Sequence, residues 1–306
     1  MSSRALVIGE ALVDVVNYRD GSVAELPGGS PANVALGLAR LGREAELLAW
    51  LGHDAYGTLV ADHLRASGVH IAEATWGAAA TSVARATLDQ NNAATYDFEL
   101  EWALSPAAAV TDAPLVVHTG SIAAVLEPGA SAVEALVREA RATSTITYDP
   151  NARPSLMGTP AAARAKVEAM VALADVVKVS DEDIEWLTGE PVEAVAAAWL
   201  DLGPELVVVT RGGEGATAFV RFGRTFTVPA PRVDVVDTVG AGDSFMGGLI
   251  DGLWLADLLG ADRRGHIAAA SDEVLMEVLE RCIRIGAITV SRAGANPPTA
   301  AELGEA

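Results

Sequence analysis

The chain has 306 residues, 51% of them hydrophobic, which is enough to bury a large core in one or two domains. Its formal net charge of -20 argues against nucleic acid and anionic membranes as partners, because both would be repelled. The single cysteine, Cys282, cannot form an internal disulfide, and the N-terminal run does not resemble a signal peptide. With no apolar run long enough for a membrane span, we expect a cytoplasmic protein.

Two β-hairpins are predicted in the N-terminal third. The first turns at Asp20-Gly21, and the second, over residues 81–102, turns near Asn91-Asn92. Because these hairpins interrupt an otherwise alternating pattern of strands and helices, we assign segments 11–27 and 81–102 to a small β-sheet lid.

The run "SPANVALGLARLG", between the two hairpins, predicts a helix. Ser30 is expected at the N-cap, Pro31 falls in the first turn, and Gly42 closes the C-terminal end.

The rest of the chain alternates between short apolar strands and helical patterns. The strands are "PLVVHTG", "STITYDPN", "ADVVKVS" and "ELVVVTRGG", and helices are expected at residues 131–142, 161–173 and 181–187. Strands that are buried on both faces and joined by helices indicate a parallel, doubly wound sheet, and we treat residues 1–306 as one α/β domain. Ligands of such folds bind beyond the carboxyl ends of the strands.

The run "DTVGAGDSFMGGL" places glycines and an acid at the start of an apolar helical pattern. The N–H groups of Gly240, Ala241 and Gly242 can converge at the positive end of the helix dipole, which makes an anion hole. Asp243 follows in the first turn. A carboxylate that only stabilises the helix dipole needs neither these glycines nor Gly247-Gly248, so the pattern indicates a phosphate site.

Two familiar phosphate-binding motifs are absent from the sequence. A Walker loop requires Gly-Lys-Ser/Thr, and neither Lys166 nor Lys178 follows a glycine. The dinucleotide fingerprint fails because Phe245 occupies its third glycine position, which disfavours a nicotinamide-dependent dehydrogenase.

Together, "GGSPANVALGLARLG" and "DTVGAGDSFMGGL" closely resemble the two signature motifs of the ribokinase-like, or PfkB, carbohydrate kinase family, in the same order and separation. "DPNARPSL", "VVKVSDEDIEWLTG" and "SRAGANPP" look most like the fructokinase branch. The resemblance spans essentially the whole chain. It implies a Rossmann-like, mostly parallel sheet with helices on both faces and a β lid, and transfer of the γ-phosphoryl group of ATP to a sugar hydroxyl with Mg²⁺.

By this resemblance, Asp243 accepts the hydroxyl proton, and the N–H groups of Gly240, Ala241 and Gly242 hold the transferred phosphoryl group. The residues implied on the sugar side are Asp14, Gly28, Gly29, Asn33 and Arg153.

The nucleotide side is implied at Ser180 and at a second set of residues, for which a plain hairpin turn is the rival interpretation: Thr210, Gly212, Gly213 and Gly215. Ser180 and Asp183 replace the N-x-x-E element of the family, so this shorter pair would reach magnesium through water. A monovalent cation, K⁺ in several relatives, is implied at Asp237, Val239, Thr289, Arg292 and Gly294. Pro298 stands where some members have a serine ligand, which weakens this last expectation.

D-fructose is the favoured acceptor, while 2-keto-3-deoxygluconate, ribose and ribosides stay open. Arg85 bears on this choice, because it lies on a predicted lid strand and could meet the carboxylate of a sugar acid. A non-catalytic sugar or nucleotide sensor is the alternative from another class, although it would have no reason to keep the glycine turn together with Asp243. The expected partners are a small sugar and ATP, for a monomer or a homodimer formed through the lid.

Overall fold

The computed structural model describes residues 3–18, 22–88 and 94–305, with the backbone alone for residues 87, 88 and 94–96. The two predicted turns, Asp20-Gly21 and Asn91-Asn92, lie outside the described residues.

The strands in the described part of the chain are β1 (Arg4–Ile8), β2 (Leu12–Asn17), β3 (Val23–Gly28), β4 (Glu44–Leu48), β5 (Leu51–Gly52), β6 (His70–Ile71), β7 (Trp76–Ala78), β8 (Val83–Leu88), β9 (Ala94–Glu99), β10 (Val116–Gly120), β11 (Thr145–Asp149), β12 (Val176–Ser180), β13 (Leu206–Thr210), β14 (Ala216–Val220) and β15 (Arg224–Val228). The α-helices there are α1 (Ser30–Arg40), α2 (Ala55–Ala66), α3 (Gly129–Ala140), α4 (Pro154–Met157), α5 (Pro160–Val171), α6 (Asp181–Thr188), α7 (Val192–Leu202), α8 (Ala241–Leu255), α9 (His266–Ala269) and α10 (Asp272–Val290).

A large sheet forms the body, with strand order β15-β14-β13-β12-β11-β10-β1-β4-β6. From β13 to β6 each neighbouring pair is parallel, while β14 and β15 add an antiparallel edge. One apolar cluster joins the sheet to α1, α2, α8 and α10, and another joins its opposite face to α3, α5, α6 and α7. The predicted Rossmann-like α/β architecture is thus confirmed.

A smaller, separate sheet has the order β3-β2-β8-β9. Two antiparallel hairpins, β2–β3 and β8–β9, meet through the parallel pair β2–β8. Val13 and Val15 of one strand and Val83 of another pack with α2 on one face, and Asp14 lies on the opposite face because side chains alternate along a strand. The predicted small β-sheet is confirmed.

The start of α1 differs from the expectation. Ser30 is the first helical residue rather than the N-cap, which is Gly29. Gly29 has φ 107°, and a Cβ there would lie 2.4 Å from the carbonyl oxygen of Glu10, so the chain requires glycine at this position. The Ser30 hydroxyl is therefore free to bond elsewhere.

Helix α8 packs between α1 and α10, and its internal glycines belong to this packing. A Cβ on Gly248 would approach Ile285 Cδ1 to 2.9 Å, and one on Gly252 would approach Val278 Cγ1 to 3.0 Å. A Cβ on Gly247 would meet the α1 backbone at 3.7 Å. The expectation that Gly247-Gly248 marks a phosphate site was therefore wrong, because these residues allow close approach of helices.

Within the described residues, the structure contains no helix that is both long and apolar enough to traverse a membrane.

Candidate active site

Polar residues gather at the carboxyl edge of the large sheet. Asp149 ends β11, and the paired residues Ser180 and Thr210 end β12 and β13. Glu10 follows β1, and the first turns of α1 and α8 meet at the same edge. This edge is where an α/β sheet offers helix N-termini and loops to a ligand.

The carboxylate of Asp243, in the first turn of α8, is buried and held from two other elements. The Ser30 hydroxyl donates to Oδ1 at 2.7 Å, and the Asn33 amide donates to Oδ2 at 2.8 Å, both from α1. Asn151, from the loop after β11, donates to Oδ1 at 3.1 Å and to Ser30 Oγ at 2.7 Å. A carboxylate has about four lone-pair sites, so these three bonds leave Oδ2 one further acceptor position.

Asn151 reaches this network from a strained backbone conformation. Its φ of 37° lies in the left-handed region, which asparagine tolerates better than most residues. Asp149 Oδ1 accepts its N–H at 3.2 Å and so supports the turn that aims the Asn151 amide at Asp243.

At Gly240, the turn before α8 has a backbone conformation and a close contact that both require glycine, as the sequence predicts. This residue has φ 74°, and a Cβ would lie 2.8 Å from Ala295 Cα, so both backbone and packing require glycine. The Ala241 N–H donates to the Thr238 carbonyl at 3.2 Å in this state. For that amide to hold a ligand anion, the Thr238 bond must be shared or replaced.

Beneath this turn lies a buried ion pair. Lys178 Nζ in β12 donates to Asp149 Oδ2 at 2.9 Å, and both side chains are almost completely buried. Burial raises the pKa of Asp149 to about 6, although Lys178 opposes the shift. Burial works to lower the pKa of Lys178, but Asp149, Asp183 and Asp243 outweigh it and raise the value. Lys178 therefore stays charged at neutral pH.

The side chain of Asp14 lies on the face of β2 opposite the apolar cluster, where the charge of Arg153 acts on it, and we call the space between this face and the polar edge of the large sheet the cleft. A Cβ on Gly28 would lie 2.2 Å from Asp14 Oδ2, so the glycine makes room for the carboxylate. Burial raises the pKa of Asp14 to about 6, and the charge of Arg153 partly offsets this. Asp14, Gly28, Gly29 and Asn33 thus line one side of the cleft.

Glu10, between β1 and β2, is a buried acid close to the site. Its carboxyl has Ser121 as a hydrogen-bond partner, and burial raises its pKa to about 7 against the charge of Arg153. Its Oε2 has no hydrogen-bond partner among the described residues.

Arg153 lies at the start of α4 and is exposed. Its Nη1 donates to both oxygens of Asn151, at 3.0 Å to the carbonyl and 2.6 Å to the side chain. The guanidinium thus lies against its own loop, while its charge acts on Asp14 and Glu10.

Arg85 lies on the face of the small sheet opposite Asp14. It pairs in register with Val15 and bonds to Glu99 at 3.2 Å. On the same face, Tyr56 of α2 donates to Glu25 at 2.7 Å. Arg85 is therefore directed away from the cleft.

The residues expected to bind nucleotide lie at neighbouring strand ends. Gly212–Glu214 forms a short 3₁₀ turn in the β13–β14 hairpin. No heavy atom lies within 4 Å of a Cβ built on Gly212 or Gly213, so this turn is open. Gly215 has φ 108° and abuts the segment after β15, where its Cβ would lie 2.1 Å from the Val228 carbonyl oxygen.

Ser180 and Asp183 cap α6 reciprocally. The Ser180 hydroxyl accepts the Asp183 N–H at 3.0 Å, and Asp183 Oδ2 accepts the Ser180 N–H at 3.4 Å. Asp183 Oδ1 also accepts the Ala152 N–H at 3.0 Å. This pair is thus partly occupied by the fold.

A mostly apolar cavity of about 590 Å³ lies between the segment after β15 and α10. Its lining comprises Val228, Pro229, Pro231, Val233, Glu280, Ile283, Arg284, Ala287, Ile288 and Ser291. It adjoins the glycine hairpin through Gly215.

Asp237 joins two of the segments expected to hold a monovalent cation. Its Oδ1 accepts the Val239 N–H at 3.0 Å, and its Oδ2 accepts the Gly294 N–H at 2.9 Å. Thr289 lies at the end of α10, where its hydroxyl donates to the Ile285 carbonyl and its own carbonyl accepts the Arg292 N–H.

Several residues of the site were missed by the sequence interpretation. The sequence pattern places Ser30 at a helix cap and indicates no role for Asn151, Asp149 or Lys178. Lys178 did carry a signal, since it is a charge in the middle of an apolar strand pattern and one of two lysines in the chain.

The family model described as "pfkB family carbohydrate kinase" matches residues 2–301 of this chain. The chain belongs to this family. A fructokinase of Rhizobium leguminosarum bv. trifolii is 35% identical over 283 residues, covering 88% of this chain and 85% of that protein. A fructokinase from Klebsiella pneumoniae is 33% identical over 262 residues, covering 83% and 85%.

The similarity extends to solved structures. A fructokinase from Xylella fastidiosa with bound ATP superposes with a TM-score of 0.84 at 26% identity, over 96% of this chain and 94% of that one. The PfkB kinase described here is thus a carbohydrate kinase of ribokinase-like fold.

Proposed function

We propose that this PfkB kinase transfers the γ-phosphoryl group of ATP to a hydroxyl of D-fructose. The relatives named above support fructose as acceptor, and the ATP-bound neighbour supports the donor. The observation that carries the mechanism is the buried Asp243 carboxylate, fixed by three donors with one acceptor position left on Oδ2.

Asp243 is proposed as the base. Ser30, Asn33 and Asn151 fix its orientation, so a sugar hydroxyl that donates to Oδ2 would already be aligned for proton transfer. As the hydroxyl oxygen attacks the γ-phosphorus and the bond to ADP breaks, the hydroxyl proton passes to Asp243.

The N–H groups of Gly240, Ala241 and Gly242 are proposed to receive the charge of the transferred phosphoryl group. Phosphoryl transfer depends mainly on positioning and charge stabilisation, and each preorganised donor is typically worth about 3–4 kcal/mol. The bond from Ala241 to the Thr238 carbonyl is the one that this role would displace.

The sugar is proposed to lie between Asp243 and the small sheet. Asp14 would accept hydrogen bonds from two sugar hydroxyls, Gly28 and Gly29 would let the backbone approach the ring, and Asn33 would add a donor. Arg153 would turn from its own loop toward a phosphate or sugar oxygen. The outward direction of Arg85 favours neutral fructose over a sugar acid such as 2-keto-3-deoxygluconate.

ATP is proposed to lie across the ends of β12 and β13, beside Ser180, Thr210 and the open glycine hairpin. The apolar cavity next to Gly215 has the size and lining that suit a purine base.

The side chains at this edge could supply part of the ligand shell of Mg²⁺. Mg²⁺ prefers oxygen ligands and keeps several waters, with one or two carboxylates and the substrate phosphates completing its shell. Asp183 still has acceptor positions beyond its two backbone bonds, so it would hold the ion through water. The bound ion would supply charge neutralisation of the phosphates.

K⁺ activation is part of the proposal. Asp237 ties the segments of Val239 and Gly294 together, and the carbonyls of Thr289 and Arg292 lie on the adjoining turn. Such hard oxygen donors suit an alkali cation.

We further propose one cytoplasmic domain whose small sheet acts as a lid, as a monomer or a lid-to-lid dimer. Closure of the lid would exclude water, which competes with the sugar for the phosphoryl group.

A panel of sugars with coupled ADP detection tests the acceptor. D-fructose is expected to give the highest kcat/KM among fructose, ribose, an aminoimidazole riboside and 2-keto-3-deoxygluconate. A tenfold higher kcat/KM with another acceptor would exclude fructose as the preferred substrate. If none of the four acceptors led to ADP formation, the proposed sugar kinase activity would be excluded.

A further inference from the structure

A buried lysine lies beneath the glycine turn, with its charge close to the start of α8. Lys178 is flanked in β12 by Val177 and Val179, and its side chain is 4% exposed. Asp149 accepts one of the three hydrogens of its ammonium group at 2.9 Å. Within the described residues this is its one hydrogen bond, so two donors are left for other partners.

The ammonium group occupies the space that a side chain at position 242 would need. A Cβ built on Gly242 would lie 2.9 Å from Lys178 Nζ. Gly242 is not among the glycines with positive φ, so its backbone could accept another residue. The close contact at position 242 is therefore with the lysine ammonium group and not with the backbone.

This arrangement places two positive charges close together, the ammonium group of Lys178 and the N-terminal end of the α8 dipole. The N-terminus of a helix carries a partial positive charge, so an ammonium group beside the first turn of α8 is unfavourable on its own. Asp149 offsets part of this cost, and the charges of Asp183 and Asp243 offset more of it. A buried ion pair adds little stability compared with apolar residues of similar volume, and the fully buried Val176, on the same face of β12 as Lys178, shows that this face accepts such residues. The pair is better explained by an anion that arrives at the turn.

We propose that Lys178 is a phosphate-binding residue of this kinase. Its ammonium group, held against Gly242 by Asp149, donates a hydrogen bond to an oxygen of the phosphoryl group during transfer. Lys178 stays protonated throughout and contributes charge, while Asp243 takes the proton. The proposal rests on the proposed function, because it needs a phosphoryl group at the glycine turn.

The chain offers a matched control, because its second lysine is far from the site. Lys166 donates to the Val125 carbonyl and to Glu127 at the surface. Lys178→Met is expected to lower kcat by about 10²–10³-fold, the effect of removing one preorganised donor, with the KM for fructose within about threefold of wild type. Lys166→Met is expected to stay within about twofold in both. A folded Lys178→Met enzyme with wild-type kcat would overturn the proposal.

A double variant separates the lost donor from the charge left on Asp149. Lys178→Met with Asp149→Asn removes both buried charges and should fold even if the single variant does not. Its kcat is expected to be as low as that of Lys178→Met. Recovery of wild-type kcat would show that the lysine serves only to neutralise Asp149.

Labelling the two lysines at the ε-carbon with ¹³C gives a readout in the wild-type protein. Two NMR signals are expected, which Lys166→Met assigns. Saturation with Mg²⁺, ADP, aluminium fluoride and fructose, a mimic of the phosphoryl group in transfer, should shift the Lys178 signal and leave that of Lys166. An unmoved Lys178 signal, with binding verified by calorimetry, would refute the proposal even if the sugar panel confirms the kinase.

Discussion

At the scale of single residues, the site contains acids with different environments. Asp243 is fixed by three donors, whereas Asp14 faces the cleft with its pKa raised to about 6 by burial. At neutral pH most Asp14 is therefore ionised, which is the form that accepts hydrogen bonds from two sugar hydroxyls. Protonation in mildly acid solution removes this capacity.

We therefore expect the KM for fructose to rise as the pH falls below about 6, by about tenfold per unit when one protonation abolishes binding. Asp14→Asn should raise KM at pH 7.5 and flatten its dependence on pH in this range. Steady-state kinetics from pH 5 to 8 with both enzymes measure this. A wild-type KM that does not change between pH 5 and 7 would exclude Asp14 from sugar binding.

Glu10 should affect the stability of the fold. Its pKa is raised from 4.5 to about 7 by burial, so between these values the folded state binds more protons than the unfolded state. The free energy of unfolding therefore falls as pH rises through this range. Glu10→Gln removes the titration and should be more stable than wild type at pH 7.5, by up to about 3 kcal/mol, with a smaller difference at pH 5. Urea unfolding at both pH values measures this; equal stability at pH 7.5 would contradict it.

At the scale of elements, glycines in helices have different structural roles. In α8, Gly248 leaves room for Ile285 and Cys282 of α10, whereas Gly286 in α10 faces open space. The cost of glycine in a helix is therefore offset by packing at one position and is uncompensated at the other.

This difference predicts opposite effects of the same substitution. Gly286→Ala should stabilise the protein by about 0.5–1 kcal/mol, because alanine loses less backbone entropy on folding. Gly248→Ala should destabilise it by about 1–3 kcal/mol, since its Cβ would lie 3.4 Å from Cys282 Cα and crowd Ile285. Thermal unfolding of the two variants measures both effects. Stabilisation by Gly248→Ala would show that α8 and α10 pack less tightly at this position than the structure indicates.

The elements were predictable wherever the sequence pattern is local. The apolar runs of β10 to β13 and the helices between them follow from periodicity and turn residues. Contacts across the chain were not predictable. Sequence separation hides that Ser30 and Asn151 meet at Asp243, so the hydroxyl of Ser30 was assigned to a cap. Likewise, Gly247-Gly248 was given to phosphate because a sequence does not display the neighbouring helix.

At the scale of the whole molecule, the two sheets define opposite sides of one cleft. The small sheet presents Asp14, the large sheet presents Ser180 and Thr210, and α8 begins between them with Asp243. A sugar on one side and ATP on the other would meet at this helix N-terminus. The resemblance of the sequence motifs to the PfkB family predicts which residues lie on the sugar side and which on the nucleotide side. The direction of Arg85 and the buried ion pair of Lys178 with Asp149 follow only from the folded structure.

The role of Asp243 as the base is tested by the turnover of Asp243→Asn with ATP and D-fructose, measured together with calorimetric binding of both ligands. The amide preserves size but cannot take the hydroxyl proton, so we expect kcat to fall at least about 10³-fold while both affinities stay within several-fold. A kcat near that of wild type would contradict the proposed base and, with it, the site assembled around α8.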